Sequence, residues 1–326
     1  MTIMRAVEIT EPGSPEVLRL AQRPVPAVGA EEVLIEVAAA GLNGADLAQR
    51  RGVYPPPAGA SDIPGLEVSG TIAALGSEVS GFAVGDRVCA LLAGGGYAEF
   101  CVVAASQVLK LPDTISFEVG AGIMEAATTV WANVFELARL KAGETLLVHG
   151  GTSGIGTTAI QLAKAMEARV VVTCGSDEKA NFCRSLGADA AVNYRTENFA
   201  EVIKNTYRGA DVVLDIVGGD YLEQNIASMA PGGRLVFIAF NQGRFGNLDI
   251  ARVMMRGLTV TGSTLRSRPL GEKKRLVAEM HKFVWPLLEN GSFKPVIDKV
   301  FKLDDVVEAH KRMEASTHTG KIILST

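Results

Sequence analysis

The run Gly151-Thr152-Ser153-Gly154-Ile155-Gly156 crowds glycines and small hydroxyl side chains into one short stretch. Glycine lets a backbone approach a pyrophosphate without a Cβ in the way, and the free N–H groups and positive dipole of a following helix attract phosphate. The run matches G-x-G-x-x-G at its first and third glycines, with Ser153 at the second. The same spacing also fits a glycine-rich structural turn, so its flanks decide. Leu146, Leu147, Val148 and His149 precede it as a buried strand, and apolar residues at helical spacing follow through Ile160, Leu162, Ala163 and Met166. The pattern is strand, tight turn, helix.

A second candidate group stands where the next strand ends, at Val172-Thr173-Cys174-Gly175-Ser176. An NAD-preferring site carries a carboxylate at this tip to accept hydrogen bonds from the ribose diol. None is present here. Ser176 can donate to a 2′-phosphate, and Lys179, one helical turn later, can neutralise it, so the tip reads as an NADP site. Asp177 and Glu178 would repel that phosphate; as first-turn acids behind a Ser176 N-cap they favour the helix dipole instead.

Composition narrows the partners. With 32 basic and 36 acidic residues the chain carries a net charge of −4, and its pI near 5.7 leaves no electrostatic footprint for nucleic acid or an anionic membrane. A small-molecule partner fits better. The N-terminal MTIMRAVEIT is broken by Arg5 and Glu8, which excludes a signal peptide or anchor, and no apolar segment is long enough to span a bilayer. Cys89, Cys101, Cys174 and Cys183 lack C-x-x-C spacing and read as reduced, buried thiols of a cytoplasmic protein. His149, His281, His310 and His318 suggest no triad.

The 326 residues are long for one core and comfortable for two domains. Up to about residue 120, short β-runs alternate with turn residues: Met4–Ile9, Glu32–Val37, Glu67–Ile72, Arg87–Leu92, Tyr97–Val103 and Val108–Leu111. The exception is a short helical stretch from Asn43, followed by a loop in which Pro55-Pro56-Pro57 stiffens the chain beside Tyr54. A helical pattern from Ser116 to Leu140 follows. Beyond Gly143, strands and helices alternate, which implies a parallel sheet covered on both faces. A long amphipathic helix over Glu272–Glu289, a helix over Asp304–Ala315 and a strand at Lys321–Leu324 complete the pattern. The fold class is α/β: a Rossmann-type doubly wound parallel sheet, 124–265, inserted into a β-rich domain made of 1–123 plus 266–326, with a ligand cleft expected between them.

These pieces together resemble the medium-chain dehydrogenase/reductase superfamily, and within it the zinc-independent quinone oxidoreductases. The resemblance covers essentially the whole chain. It rests on Leu42-Asn43-Gly44-Ala45-Asp46, Tyr54-Pro55-Pro56-Pro57, Gly65-Leu66-Glu67-Val68-Ser69-Gly70, Gly85-Asp86-Arg87-Val88, Gly94-Gly95-Gly96-Tyr97, the glycine turn, Leu186-Gly187 and Gly320-Lys321-Ile322. The combination of Tyr54-Pro55-Pro56-Pro57, Gly65–Gly70, Leu91-Leu92-Ala93-Gly94-Gly95-Gly96 and Leu265-Arg266-Ser267-Arg268, with Ser153, makes it most similar to the subgroup of the tumour-suppressor-inducible quinone oxidoreductase. Zinc-dependent relatives have Cys where this chain has Asn43 and His where it has Leu66, while Glu67 remains; neither replacement is a good zinc ligand, so no metal is expected. The resemblance implies a GroES-like catalytic domain, NADPH as cofactor and hydride transfer to a quinone. Alternatives are reduction of a C=C bond in an enone or enoyl thioester, and an NADPH-binding sensor or structural protein with little turnover. It also implies a homodimer joined through the edge strand beginning at Leu258.

Residue by residue, the resemblance places Tyr54 and Asn43 beside the nicotinamide and the acceptor, with Thr129 approaching from the nucleotide domain. Tyr54 alternatively packs as a loop aromatic, Asn43 caps the short helix, and Thr129 bonds back to its preceding turn. Tyr194 is expected on the adenine side. Phe240 lies where a backbone group can hold the carboxamide of the nicotinamide, or is a buried strand-end aromatic. Arg266 and Ser267 are expected at the cofactor or substrate mouth, or form a solvated basic turn with Arg268. Asp46 is expected to pair with nearby backbone or with Arg50, Glu67 to support the local backbone, and Lys321 belongs to a terminal family motif whose contact is open.

Overall fold

The computed structural model describes residues 2–326. It separates into two compact units: Met1–Thr128 with Leu265–Phe283 and Pro295–Thr326, and Thr129–Thr264 with Val284–Lys294.

The first unit is β-rich, and alternation builds it. Along Glu32–Gly41, Val33, Ile35, Val37 and Ala39 are buried while Glu36 is exposed. This strand lies inside a seven-stranded sheet ordered Ile297–Lys302, Lys321–Ser325, Glu32–Gly41, Glu67–Leu75, Arg87–Leu91, Val108–Lys110, with Phe100–Ala104 also paired to Glu32–Gly41. Only Ile297–Lys302 and Lys321–Ser325 run parallel; the other pairs are antiparallel. The C-terminal strand pairs Ile323 with Gly41 and Leu324 with Ala40, and Leu42 N–H donates to Ile322 O at 2.9 Å. That register brings Lys321 to the Leu42–Asn43 turn. The strand expected from Tyr97 starts only at Phe100, because Tyr97 and Ala98 pair with the N-terminal strand Ile3–Ile9 instead.

The second unit holds six parallel strands in the order Ala190–Asn193, Arg169–Cys174, Thr145–His149, Ala210–Asp215, Met229–Phe237, Thr259–Gly262. In chain order this is 3-2-1-4-5-6, the doubly wound arrangement whose direction switches beside the first strand. Its central strands are buried on both faces, as their continuous Val and Leu runs predict.

Two expected helices are divided. The pattern over Ser116–Leu140 forms Phe117–Gly120, Met124–Val130 and a π-helical turn, Trp131–Leu137; Gly120 and Gly122 weaken the first junction. The stretch Glu272–Glu289 forms Leu270–Glu279, a π-turn at Met280–Val284 and Trp285–Glu289, where Pro286 opens a new first turn. Val284–Lys294 joins the second unit because Trp285, Leu288 and Phe293 are buried and Gln161 clasps Lys294, donating to its O at 3.0 Å and accepting from its N at 2.9 Å.

In the first unit a buried arginine ties an early helix to a late one. Arg50 donates to Gly13 O at 3.0 Å, to His310 Nδ1 at 3.1 Å and to Glu314. A guanidinium can only donate, so His310 is neutral with its proton on Nε2, an atom buried without a partner. Burial, then the adjacent Arg50 charge, pushes the His310 pKa down to about 3. The unfolded chain therefore binds a proton below about pH 6.5 that the folded chain refuses until about pH 3, so stability falls with acidification across that window. At 1.36 kcal/mol per unit, about 2–3 kcal/mol is lost between pH 7 and about pH 4.5. Urea unfolding at both pH values should show this loss in the wild type and a smaller one in His310→Gln.

Candidate active site

The glycine turn follows Thr145–His149 and opens the helix Gly154–Ala165. A Cβ at Gly151 would lie 2.6 Å from Val172 Cγ2 and 3.0 Å from Cys183 Sγ, and one at Gly156 would lie 2.3 Å from Gly150 O. Both positions therefore demand glycine for packing alone. Ser153 is the N-cap, its Oγ accepting from Gly156 N–H at 3.0 Å. This explains the serine at the second fingerprint position: a hydroxyl satisfies an end-of-helix donor that glycine would leave open. Thr152 is buried beside it and Ile155 half-buried. Beneath the turn, His149 Nε2 meets Asn225 Oδ1 at 2.7 Å and Nδ1 meets Thr173 Oγ1 at 3.0 Å. Asn225 in turn donates to Asp215 Oδ2 at 2.7 Å, and Asp215 Oδ1 receives the N–H groups of Val217 and Gly218. This buried network holds the ends of the first, second and fourth strands together.

At the next strand tip, Ser176 caps the helix Asp177–Ser185 by accepting from Lys179 N–H at 3.2 Å. Asp177 is turned toward the third strand, where Asn193 Nδ2 donates to it at 2.8 Å. Tyr194 Oη lies 2.6 Å from where a Cβ on Gly175 would stand, and Arg195 Nε 3.7 Å from it. Gly175, Ser176, Tyr194 and Arg195 thus share one tip. Arg195 was not legible in the sequence; the signal was its place just beyond the strand that pairs Asn193 with Cys174. Phe240 is an exposed ring, 63 % accessible, rather than a buried strand-end aromatic. Thr129 is buried, and its O accepts from Asn133 Nδ2 at 2.8 Å while its hydroxyl has no hydrogen bond back to the preceding turn.

The first unit gathers the remaining predicted residues around a buried ion pair. Lys321 Nζ lies 2.5 Å from Glu67 Oε1 and donates to Asn43 Oδ1 at 2.7 Å and Leu42 O at 2.8 Å. Asn43 Nδ2 donates to Glu67 Oε1 at 3.0 Å, and Glu67 Oε2 accepts from Glu125 N–H at 2.9 Å. Both ends of the Asn43 amide are therefore committed. At the N-cap of Gly44–Arg50, Asn43 N–H donates to Asp46 Oδ2 at 2.8 Å. Asp46 also accepts from Gly65 N–H at 3.1 Å and Tyr97 Oη at 2.9 Å, so its partners are backbone and Tyr97, not Arg50. Burial raises the Asp46 pKa to about 6. Leu66, beside Glu67, is buried and apolar, and no group of three or more His, Cys, Asp or Glu side chains able to hold a metal occurs among the described residues.

Tyr54 is half-buried, with the Arg266 guanidinium 5.6 Å from its ring centroid. Arg266 is buried, donating from Nε to Ala93 O at 2.8 Å and from Nη1 to Tyr54 O at 3.4 Å, while Nη2 is buried without a partner. Ser267 is exposed, and Arg268 donates to Glu272 at 2.9 Å. Two groups here escaped sequence reading. Glu125, in the first turn of Met124–Val130, has Oε2 buried without a hydrogen bond; burial, then the Glu67 charge, pushes its pKa up to about 8. Lys273 is 5 % accessible, and burial lowers its pKa. The signal for Glu125 was a lone acid inside the apolar stretch from Ala121 to Val134. Burial also raises the Tyr54 phenol above its ordinary range.

Residues 29–113 match the family model for the alcohol dehydrogenase GroES-like domain, and residues 154–284 that for zinc-binding dehydrogenase. A quinone oxidoreductase of Pseudomonas aeruginosa is 34% identical over 326 residues, covering 98% of this chain and 99% of the relative. The crystal structure of Escherichia coli quinone oxidoreductase complexed with NADPH is similar with a TM-score of 0.88, at 28% identity and 100% coverage of both chains. That of the CurK enoyl reductase is similar with a TM-score of 0.88, at 28% identity, covering 100% of this chain and 99% of that one. With its GroES-like and Rossmann-type units and its full-length likeness, this chain belongs to the quinone oxidoreductases of the medium-chain dehydrogenase/reductase superfamily.

Proposed function

We propose that the protein is an NADPH-dependent quinone reductase that works without a metal. The observation that carries this reading is likeness over nearly the full chain to quinone oxidoreductases, one of them complexed with NADPH. Metal independence is supported by Leu66, which offers no ligand, and by Asn43, whose amide is spent on Lys321 and Glu67.

The division of labour follows the compact units. The second unit supplies Gly151, Thr152, Ser153, Gly154, Ile155 and Gly156 for the pyrophosphate, Ser176 and Lys179 for the 2′-phosphate, and Tyr194 for the adenine side. Phe240 is assigned to the nicotinamide end, and Arg266 and Ser267 to the cofactor or substrate mouth. NADPH, when bound, supplies the hydride, and orientation of a strongly electrophilic quinone accounts for much of the gain. Tyr54, Asn43 and Thr129 are assigned to that orientation. Tyr54 keeps its phenolic proton at neutral pH, as any tyrosine does, and burial raises its pKa further. That property also favours a second reading, enone or enoyl-thioester reduction with Tyr54 as proton donor, in keeping with the likeness to an enoyl reductase.

A homodimer joined through the edge strand Thr259–Gly262 is part of the proposal. The strand is largely exposed at the end of its sheet, and Ile250, Met254 and Met255 leave apolar surface nearby in sequence. A cytoplasmic setting is supported by the four cysteines, all unpaired and buried.

Purified protein should oxidise NADPH with 1,4-benzoquinone or an ortho-quinone at a rate unchanged by a metal chelator. Faster turnover of crotonyl thioester or an enone would select the second reading, and chelator-sensitive alcohol oxidation would remove both. Lys179→Ala should raise the KM for NADPH by roughly 10- to 100-fold, the equivalent of one charge-assisted hydrogen bond, while leaving that for NADH nearly unchanged. Equal effects on the two cofactors would remove Lys179 from the 2′-phosphate site.

A further inference from the structure

Within the first unit, three charged groups lack the partners that burial ordinarily demands. Glu125 Oε2 and Arg266 Nη2 are buried without hydrogen bonds. Lys273, 5 % accessible, donates its backbone N–H to Pro269 O, but its side chain has no hydrogen bond or ion pair among the described residues. The other charges are already spent: Lys321 on Glu67, and Asp46 on Tyr97 and backbone. Glu125 feels the charges of Glu67, Asp46, Lys321 and Lys273, and its own charge reaches both Tyr54 and Arg266. Buried polar atoms without partners are rare and commonly serve a ligand or a proton. Of these, the Arg266 guanidinium lies 5.6 Å from the ring centroid of Tyr54, the tyrosine assigned to the acceptor, and the charge of Glu125 reaches its phenol.

We propose that Glu125 is the proton-holding residue of the acceptor site, passing its carboxyl proton to the reduced acceptor through the Tyr54 hydroxyl or a water. This rests on the quinone-reductase reading. The quinone gains a hydride, hence two electrons and one proton, and becomes a hydroquinone monoanion. The carboxyl O–H of Glu125 breaks, an O–H forms on the hydroquinone oxygen, and solvent later reprotonates the carboxylate. Arg266 and Lys273 stabilise the transient oxyanion and the carboxylate that replaces it. Because burial holds the Glu125 pKa at about 8, the proton is present at neutral pH and is lost as the pH rises through that value.

Two measurements on the full chain test this. In infrared difference spectra of substrate-free wild type against Glu125→Gln, a protonated-carboxyl C=O band should be present at pH 7 and vanish near pH 8. In steady-state kinetics with NADPH and 1,4-benzoquinone, wild-type kcat should fall above about pH 8. Glu125→Gln, close in shape to the protonated acid, should lower kcat by roughly 100-fold, remove that alkaline limb and leave the KM for NADPH unchanged. Lys273→Met should move the limb to higher pH, because a cation favouring the carboxylate is gone. An unchanged alkaline limb in Glu125→Gln, or no band at pH 7, would overturn the proposal. If wild type has the band but reduces no quinone, it is the quinone-reductase reading that has failed, and the proton role falls with it.

Discussion

The pair formed by Lys321 and Glu67 constrains the first unit more than any other contact. An ammonium and a carboxylate withdrawn from water cost several kcal/mol each, repaid only by close pairing and full hydrogen bonding. Meeting that demand requires Leu42 O, both ends of the Asn43 amide and the N–H of Glu125 to converge on the pair. The C-terminal strand supplies Lys321 in the correct register, and the strand beginning at Glu67 supplies the carboxylate. Both ends of the Asn43 amide are consequently fixed by hydrogen bonds to the pair.

The two units treat their buried polar groups differently. In the nucleotide unit, His149, Thr173, Asn225 and Asp215 satisfy one another and the loop N–H groups, so hydrogen bonds tie together the strand ends beneath the glycine turn. In the first unit, Glu125 and Arg266 keep atoms without partners, and Lys273 keeps an unpaired charge. A satisfied network supports a scaffold. An unsatisfied one stores electrostatic free energy that a ligand or a proton can release.

The parallel sheet was legible because double burial writes continuous Val and Leu runs into the chain, and the glycine turn because close packing tolerates no Cβ at Gly151 or Gly156. Ser176 was correctly read as an N-cap. Ser153 looked like a defect in a phosphate motif until its hydrogen bond to Gly156 showed a second N-cap. The long helices over Ser116–Leu140 and Glu272–Glu289 were over-read, since periodicity continues across a π-turn that hydrogen bonding interrupts. Arg50 looked like a neighbour for Asp46 four residues away, yet its partners are Gly13, His310 and Glu314.

By itself the sequence determined the class of fold, the glycine turn and the absence of a carboxylate at the tip of the strand ending in Cys174, while the likeness to a family was what marked Asn43 and Leu66 as standing where zinc-dependent relatives carry ligands. The first three follow from residue type and spacing over a few positions, where steric and helix-end rules operate. Only the tertiary structure decided which ionisable groups are paired and which are not. Glu125 reads locally as an ordinary first-turn acid; its altered acidity comes from burial and from Glu67, Lys321, Asp46 and Lys273, which lie far from it in sequence. Desolvation and charge act through space, and their sources here meet only after the sheet register and chain reversals have brought them together.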